Sequence, residues 1–229
     1  MTEPEGEQAP YFVTAVERGM AVLQAFTATR PRLTYTEAGE LTGLSRATTR
    51  RLMLTFRDLG FLESPDGKTF GLTPRVLQLG YSYLSTLPLR EVARPQLEEL
   101  SADLQETAGL AILDGEEIVY VAIAMSPRLT SVRINLGTRF PARETAAGRV
   151  LLAHRGREYP EIRAAGYCVL DGELGEDLRG VAAPVPEAQG VSAAVAVSLH
   201  SGRQDVADLT ARFAPAVVAA AERIAGAAR

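Results

Sequence analysis

Arg46, Arg50 and Arg51 stand within one short stretch, SRATTRR. At about 100° per residue they and Ala47 fall on one side of a helix, near its N-terminal end. Arginine at that end of a recognition helix can grip guanine O6 and N7 with two hydrogen bonds, or neutralise a phosphate. Ser45, just ahead of them, is a good helix cap. Lys68 is the only lysine in the chain and sits beside the turn Pro65-Asp66-Gly67, where a wing would meet phosphate; the same position suits a solvated hairpin residue. The candidate DNA contacts are therefore Ser45, Arg46, Ala47, Arg50, Arg51 and Lys68, while Thr48 and Thr49 read as helix-packing residues. Other reactive groups are sparse. One cysteine, Cys168, excludes an internal disulfide, and His154 and His200 are too scattered for metal ligation. A hydrolase built on Cys168 or Asp171 near His200 would need a nucleophile elbow or an ordered triad, and neither is present. No catalytic residue, metal or cofactor is expected.

The elements that must position the arginines run from Leu33 to Thr73. Thr36 precedes Glu37-Ala38-Gly39-Glu40-Leu41 as a cap for a short helix, Gly43 offers a positive φ just past it, and Ser45 opens the next. That is the compact turn of a helix-turn-helix. The second helix spans about Arg46 to Leu59 and turns Thr49, Leu52, Met53, Phe56 and Leu59 inward. Phe61 to Ser64 and Lys68 to Leu72 read as the two strands of a wing. Ahead of the motif, Val13 to Phe26 is an amphipathic helix with Val16, Met20, Leu23 and Phe26 as its inward stripe. Arg30-Pro31-Arg32 then breaks the chain, its arginines touching phosphate or simply solvating a loop. The competing reading, a helical subdomain of an enzyme with solvated arginines, does not explain why all these parts occur in order.

With 229 residues, 46% hydrophobic and 23% charged, the chain suits two globular domains. No apolar run approaches the ~20 residues that span a bilayer, and the acidic start MTEPEGEQAP lacks the regions of a signal peptide. A cytoplasmic protein with no membrane partner is expected. The net charge of −4 is unevenly spread. Between Phe12 and Ser85 nine basic residues face six acidic ones, whereas from Thr86 onward fifteen face nineteen. A modest local excess suits a dimer that sums contacts over two half-sites. The preference for arginine over lysine reflects genome composition rather than chemistry. The expected organisation is a disordered tail (1–11), a winged helix-turn-helix (12–73), a linker helix opened by Pro74 (74–88) and a second domain (89–229).

In that second domain Leu89 to Thr107 is helical, with Val92, Leu97, Leu100 and Leu104 inward and Pro95 marking a kink or break. Strands are expected at 110–113, 118–124, 131–136, 180–185 and 191–199, with a turn at Asp114 to Glu117. A helix from Thr145 to His154 begins with Ala146, Ala147 and Gly148, and its exposed amide hydrogens can hold a carboxylate. A final helix covers Asp205 to Ala227. The fold class is α+β, helices beside one antiparallel sheet.

VERGMAVLQAF, LTYTEAGELTGLSRATTRRLMLTFRDLGFLE, FGLTPRVLQLGYSYL, GTRFPARETAAGRVLLA, GYCVLDGELGEDLRGVAAPV and SAAVAVSLH together resemble the IclR family of bacterial transcriptional regulators over nearly the whole chain. LTPRVLQLGYSYLS and GTRFPARETAAGRVLLA point to the subgroup controlling catabolism of aromatic acids such as protocatechuate or 4-hydroxybenzoate. The resemblance implies an N-terminal winged helix-turn-helix that binds operator DNA, a C-terminal effector-binding domain of GAF-like fold, and homodimers often paired into tetramers. It also implies an effector pocket walled by Ala146, Ala147, Asp171, Gly180, Ala196 and Ser198. Helix-start amides and the Ser198 hydroxyl can hydrogen-bond a carboxylate, whereas alanine and glycine suit close packing equally well and Asp171 is also a turn residue. Arg133, Arg139 and Arg143 are either counter-charges for an acidic effector or surface residues.

One departure stands out: between LLAH and GYCVLDGEL the chain has only RGREYPEIRAA, where the family carries a longer helical segment. Residues 155–165 thus leave the pocket without its usual floor or rim, unless other parts of the chain or a neighbouring subunit close it. Asp177 also stands where a glycine is common. Two functions follow: a regulator controlled by a small carboxylic acid, or a constitutive DNA-binding dimer whose shortened C-terminal domain only oligomerises.

Overall fold

The computed structural model of the chain describes residues 9–128, 131–175, 177–188 and 190–228, and most of the expected tail lies outside them. The chain forms two compact units, Met1–Tyr83 and Leu84–Arg229.

The first unit contains α1 (Thr14–Gln24), β1 (Arg32–Leu33), α2 (Tyr35–Thr42), α3 (Arg46–Asp58), β2 (Leu62–Glu63) and β3 (Phe70–Leu72). Val22, Phe26, Leu33, Ala38, Met53, Leu62 and Phe70 make its core. Thr34, not Thr36, caps α2: its hydroxyl accepts from the Glu37 amide while the Glu37 carboxylate accepts from the Thr34 amide at 2.7 Å. The spacing Thr34-x-x-Glu37 allows this reciprocal capping box, which leaves Thr36 inside the helix. Gly43 ends α2 at φ 68° and Ser45 caps α3. Gly39 lets the two helices meet, since a Cβ there would stand 2.9 Å from the Leu44 carbonyl oxygen.

The inward face of α1 is rotated from the expected stripe. Gly19 and Val22 are buried, whereas Val16 and Met20 are exposed, because Gly19 admits the Phe56 ring against the helix backbone. Leu59 is likewise exposed, as it stands past the end of α3 at its C-cap. The wing has three strands in the order β1-β3-β2, all antiparallel. Pro74–Val76 forms a single 3₁₀ turn that leads into α4 (Leu77–Leu84), which buries none of its residues.

The second unit comprises α5 (Pro88–Leu104), β4 (Thr107–Asp114), β5 (Glu117–Ala124), β6 (Arg139–Pro141), α6 (Ala146–Arg155), α7 (Pro160–Ala165), β7 (Cys168–Asp171), β8 (Leu178–Glu187), β9 (Gly190–His200), a helical turn α8 (Val206–Asp208), a π-helical turn (Leu209–Phe213) and α9 (Ala214–Ala227). Six strands pair antiparallel in the order β6-β5-β4-β9-β8-β7. Helices cover both faces, which makes the strands apolar throughout rather than alternating. On β9 the period of two still assigns sides: Ala193, Val195, Val197 and Leu199 pack with α5 and α9, and Ala194 and Ala196 pack with α6.

Three differences from expectation are local. α5 runs through Pro95 without a break, with that residue on the exposed side. Residues 131–138 are not a strand, because Asn135 to Thr138 turns through Gly137 at φ 79° before β6 begins. The edge strand β7, only four residues long, had no alternation long enough to announce it.

Candidate DNA-reading surface and effector site

Ser45, Arg46, Ala47, Arg50, Arg51 and Lys68 are all exposed on the first unit. The Ser45 Oγ is engaged as a cap, accepting from the Thr48 amide at 3.2 Å, and Thr49 is fully buried with its hydroxyl on the Ser45 carbonyl oxygen. Thr49 and Met53 thus anchor α3 against the core, which turns Arg46, Ala47, Arg50 and Arg51 to solvent. Among the described residues none of these three arginines makes an ion pair, whereas Arg57 is paired with Asp58 at 2.8 Å. Arg32 is also committed: its Nε donates to Thr69 Oγ1 at 3.1 Å and its Nη2 to the Thr69 carbonyl at 3.0 Å, bracing the wing. At the wing tip Asp66 accepts from the Lys68 and Thr69 amides at 2.9 and 2.8 Å and from the Thr69 hydroxyl. These bonds hold its carboxyl far below the usual carboxylate range. The turn therefore presents Lys68 on a rigid support.

In the second unit the structure brings Ala146, Gly180 and Ser198 together around a residue that sequence reasoning did not select, Glu173. Thr145 caps α6 by accepting from the Gly148 amide, which leaves the Ala146 amide free to donate to Glu173 Oε1 at 2.9 Å. Ser198 Oγ donates to Glu173 Oε2 at 2.6 Å. Gly180 lies directly against the carboxylate, where a Cβ would stand 2.3 Å from Oε1. Glu173 is 1% exposed, and Ala146, Ala147, Ala196 and Ser198 are all buried. Burial pushes the Glu173 carboxyl up, opposed by the bonds from Ser198 and Ala146. The Tyr120 hydroxyl is raised by its own burial and by the nearby Glu173 charge, opposed by Ser198. Gly109 makes room for that tyrosine, since a Cβ there would lie 2.6 Å from its ring.

The remaining expected groups lie elsewhere. Asp171 is exposed and bound to Arg179 at 2.6 Å. Arg139 pairs with Asp114 and Glu117 at 2.8 and 2.7 Å, Arg143 pairs with Glu158, and Arg133 is exposed. The short segment 155–165 is not a gap. Ile162 and Tyr159 pack against the α6 side of the sheet, and Arg163 Nε donates to the Ala153 carbonyl at 2.8 Å, tying α7 to α6. No charge pattern near Glu173 announces its burial; the local signal is Gly172 and Gly175 on either side of it, both at positive φ. An apolar groove of about 840 Å³ on the opposite face of the sheet is lined by Leu87, Leu89, Leu110, Ile112 and Val121 among others.

Glu106 is the other buried acid among the described residues. It pairs with Arg203 at 2.5 Å, and its carboxyl is raised by burial against the pull of Arg203 and His200. Cys168 is buried, its thiol pushed up to about 12 chiefly by desolvation.

Comparison with known proteins places both units. The IclR helix-turn-helix domain model matches residues 15–66, and the model of the bacterial transcriptional regulator IclR C-terminal domain matches residues 81–161 and 156–226. Those two C-terminal stretches meet at the short 155–165 segment. The chain is 40% identical to the Pca regulon regulatory protein of Pseudomonas putida, over 92% of this chain and 82% of that protein. It is 32% identical to the p-hydroxybenzoate hydroxylase transcriptional activator of Acinetobacter baylyi, over 80% and 79%. In fold it resembles an IclR homolog from Microbacterium hydrocarbonoxydans solved in complex with 4-hydroxybenzoate (TM-score 0.80, 22% identity, 93% of this chain and 98% of that chain).

Proposed function

The chain belongs to the IclR family of bacterial transcriptional regulators, DNA-binding proteins with an effector domain rather than enzymes, and we propose that it is a homodimer whose grip on its operator is set by a small aromatic carboxylic acid. The observation that carries the DNA half is the solvent-facing side of α3, where Arg46, Arg50 and Arg51 stand beside Ala47 without an ion-pair partner among the described residues. Arg50 is the leading base reader and Lys68 a phosphate contact from the wing. Exposed Val16 and Met20 on α1, with Val13 at its N-cap, and Leu77, Leu79 and Tyr81 on α4, support dimerisation through the first unit, since apolar patches of this kind mark association surfaces. A dimer presents two recognition helices to two half-sites, and their spacing is the variable an effector can set.

Support for an aromatic acid comes from the relatives named as regulators of the Pca regulon and of p-hydroxybenzoate hydroxylase, and from the fold shared with the 4-hydroxybenzoate complex. Control requires that the acid bind the two DNA-binding states with different affinity. A constitutive dimer, with a C-terminal unit that only oligomerises, is the second reading, favoured by the burial of Ala146 and Ser198 around Glu173. Calorimetry with 4-hydroxybenzoate and protocatechuate, followed by binding to an operator selected from random duplexes at fixed salt, separates the two. Heat of binding together with a changed operator affinity is expected; neither acid binding at millimolar concentration selects the constitutive dimer.

A further inference from the structure

We propose that the groove on the α5–α9 face of the second unit is a binding site for a medium-chain carboxylic acid, with Arg90 as the carboxylate anchor and the sheet as the bed for the apolar chain. The site lies on the side of the sheet away from Glu173 and α6, and it stands independently of the aromatic-acid reading.

The groove exists because the helical cover ends before the strands do. On β4 Thr107 to Ala111 are buried, whereas Ile112 and Leu113, next to the β4–β5 turn, are only half-buried. Leu87 and Leu89 at the start of α5 form one wall, and Ala225 and Ala228 at the end of α9 form another. The recess they leave, about 840 Å³, has the size of a site for a drug-sized ligand rather than a single small ring. All of its lining belongs to the second unit.

A break in the strand pairing places the cation. Leu110 pairs with Ala122 and Ala111 with Tyr120, so Val121 is the extra residue of a bulge in β5. Its carbonyl oxygen accepts from Arg90 Nε at 3.1 Å, which fixes the guanidinium at the groove wall. Nη1 pairs with Glu91 at 3.1 Å, but Glu91 is 72% exposed, so water screens that contact. Nη2 makes no hydrogen bond among the described residues and is left for a carboxylate. An arginine held in this way beside an apolar recess selects an anion with an apolar body.

The one acid in the described lining, Glu187, sets the orientation. It accepts from the Ser192 hydroxyl and sits on β8. In the order β5-β4-β9-β8 that is three strands from Val121, about 14 Å across the sheet. Repulsion there keeps the carboxylate at the Arg90 end, and Leu110 and Ile112 on the intervening β4 take the chain.

Isothermal titration calorimetry of the full chain with sodium hexanoate, octanoate and decanoate, below their micellar concentrations, tests the site. Affinity is expected to rise by up to about fourfold for each methylene buried. Arg90→Met keeps an apolar stem and should bind octanoate about tenfold more weakly than the parent, while Ile112→Trp fills the floor and abolishes binding. Octan-1-ol has the chain without the charge and should bind the parent as weakly as octanoate binds Arg90→Met. That comparison needs no variant and decides the role of charge even if Arg90→Met does not fold. Absence of octanoate binding to the parent at millimolar concentration, equal affinity for octanoate and octan-1-ol, or affinity indifferent to chain length each overturns the proposal. So does a parent that binds no carboxylate and loses self-association in Ile112→Trp by sedimentation velocity, since the occupant is then a second copy of the chain.

Discussion

Replacing Gly148 by alanine should unseat the N-terminus of α6. A Cβ there would stand 2.0 Å from the Ala142 carbonyl oxygen and 2.4 and 2.5 Å from the Cα and carbonyl carbon of the same residue. These are backbone atoms that cannot rotate away, so α6 and the turn before it must part by about 1 Å or more to reach ordinary contact. Overpacking of this kind costs about 1–3 kcal/mol. The same displacement stretches the 2.9 Å bond from Ala146 to Glu173 past useful length, losing about 1.5–3 kcal/mol more. Against this stands the gain of about 1 kcal/mol from replacing a helical glycine. The net loss is about 2–5 kcal/mol, or roughly 4–20 °C for a unit of this size at about 2–4 °C per kcal/mol. Gly226 supplies the control. It lies in α9, exposed and with nothing within 4 Å of where a methyl group would stand, so Gly226→Ala should raise the melting temperature by up to about 4 °C. Differential scanning calorimetry of the full chain checks both variants. A Gly148→Ala protein that melts within a degree of its parent would refute the close approach of α6 to Ala142.

Arg50→Ala should weaken specific operator binding by about 1–3 kcal/mol, whereas Lys68→Ala should weaken all duplexes evenly and reduce the salt slope by about one; fluorescence anisotropy across a salt series checks both, and unchanged specificity in Arg50→Ala removes it as a base reader. Cys168, buried and with its thiol pushed up to about 12, should resist a thiol reagent at pH 8 until the protein is unfolded; stoichiometric labelling of the native protein within minutes would contradict its burial. Glu173 is raised in the folded state from 4.5, so the folded form binds its proton more tightly, and the stability this contributes is complete below 4.5 and lost as pH rises through the folded value. Urea unfolding from pH 4 to 8 should therefore show the parent losing ground to Glu173→Gln as pH climbs, and parallel profiles would exclude a raised Glu173.

The DNA-reading unit was legible because its signals are local. Gly43 and Ser45 mark the turn within three residues, and the positions of Arg46, Arg50 and Arg51 follow from helical spacing alone. Two misreadings in this unit were local, the Thr36 cap and the inward Leu59; the face of α1 was decided by a contact from a distant residue. Val16 and Met20 lost the inward face of α1 because Phe56 packs on Gly19, and Arg32, open between phosphate and solvent on sequence alone, braces the wing through Thr69.

By itself the sequence determined most of the order of elements, the exposed arginine face and the α+β class, and its resemblance to the IclR family implied that Ala146, Gly180 and Ser198 share one neighbourhood. Only the tertiary structure decided what that neighbourhood holds. Glu173 reads along the chain as a polar residue of a glycine-flanked turn, and its burial depends on donors 27 and 25 residues away, at Ala146 and Ser198. Periodicity reports which side of its own element a residue faces. It carries no information on which distant side chain fills the space opposite, because that is settled by packing and by the need to satisfy every buried polar atom.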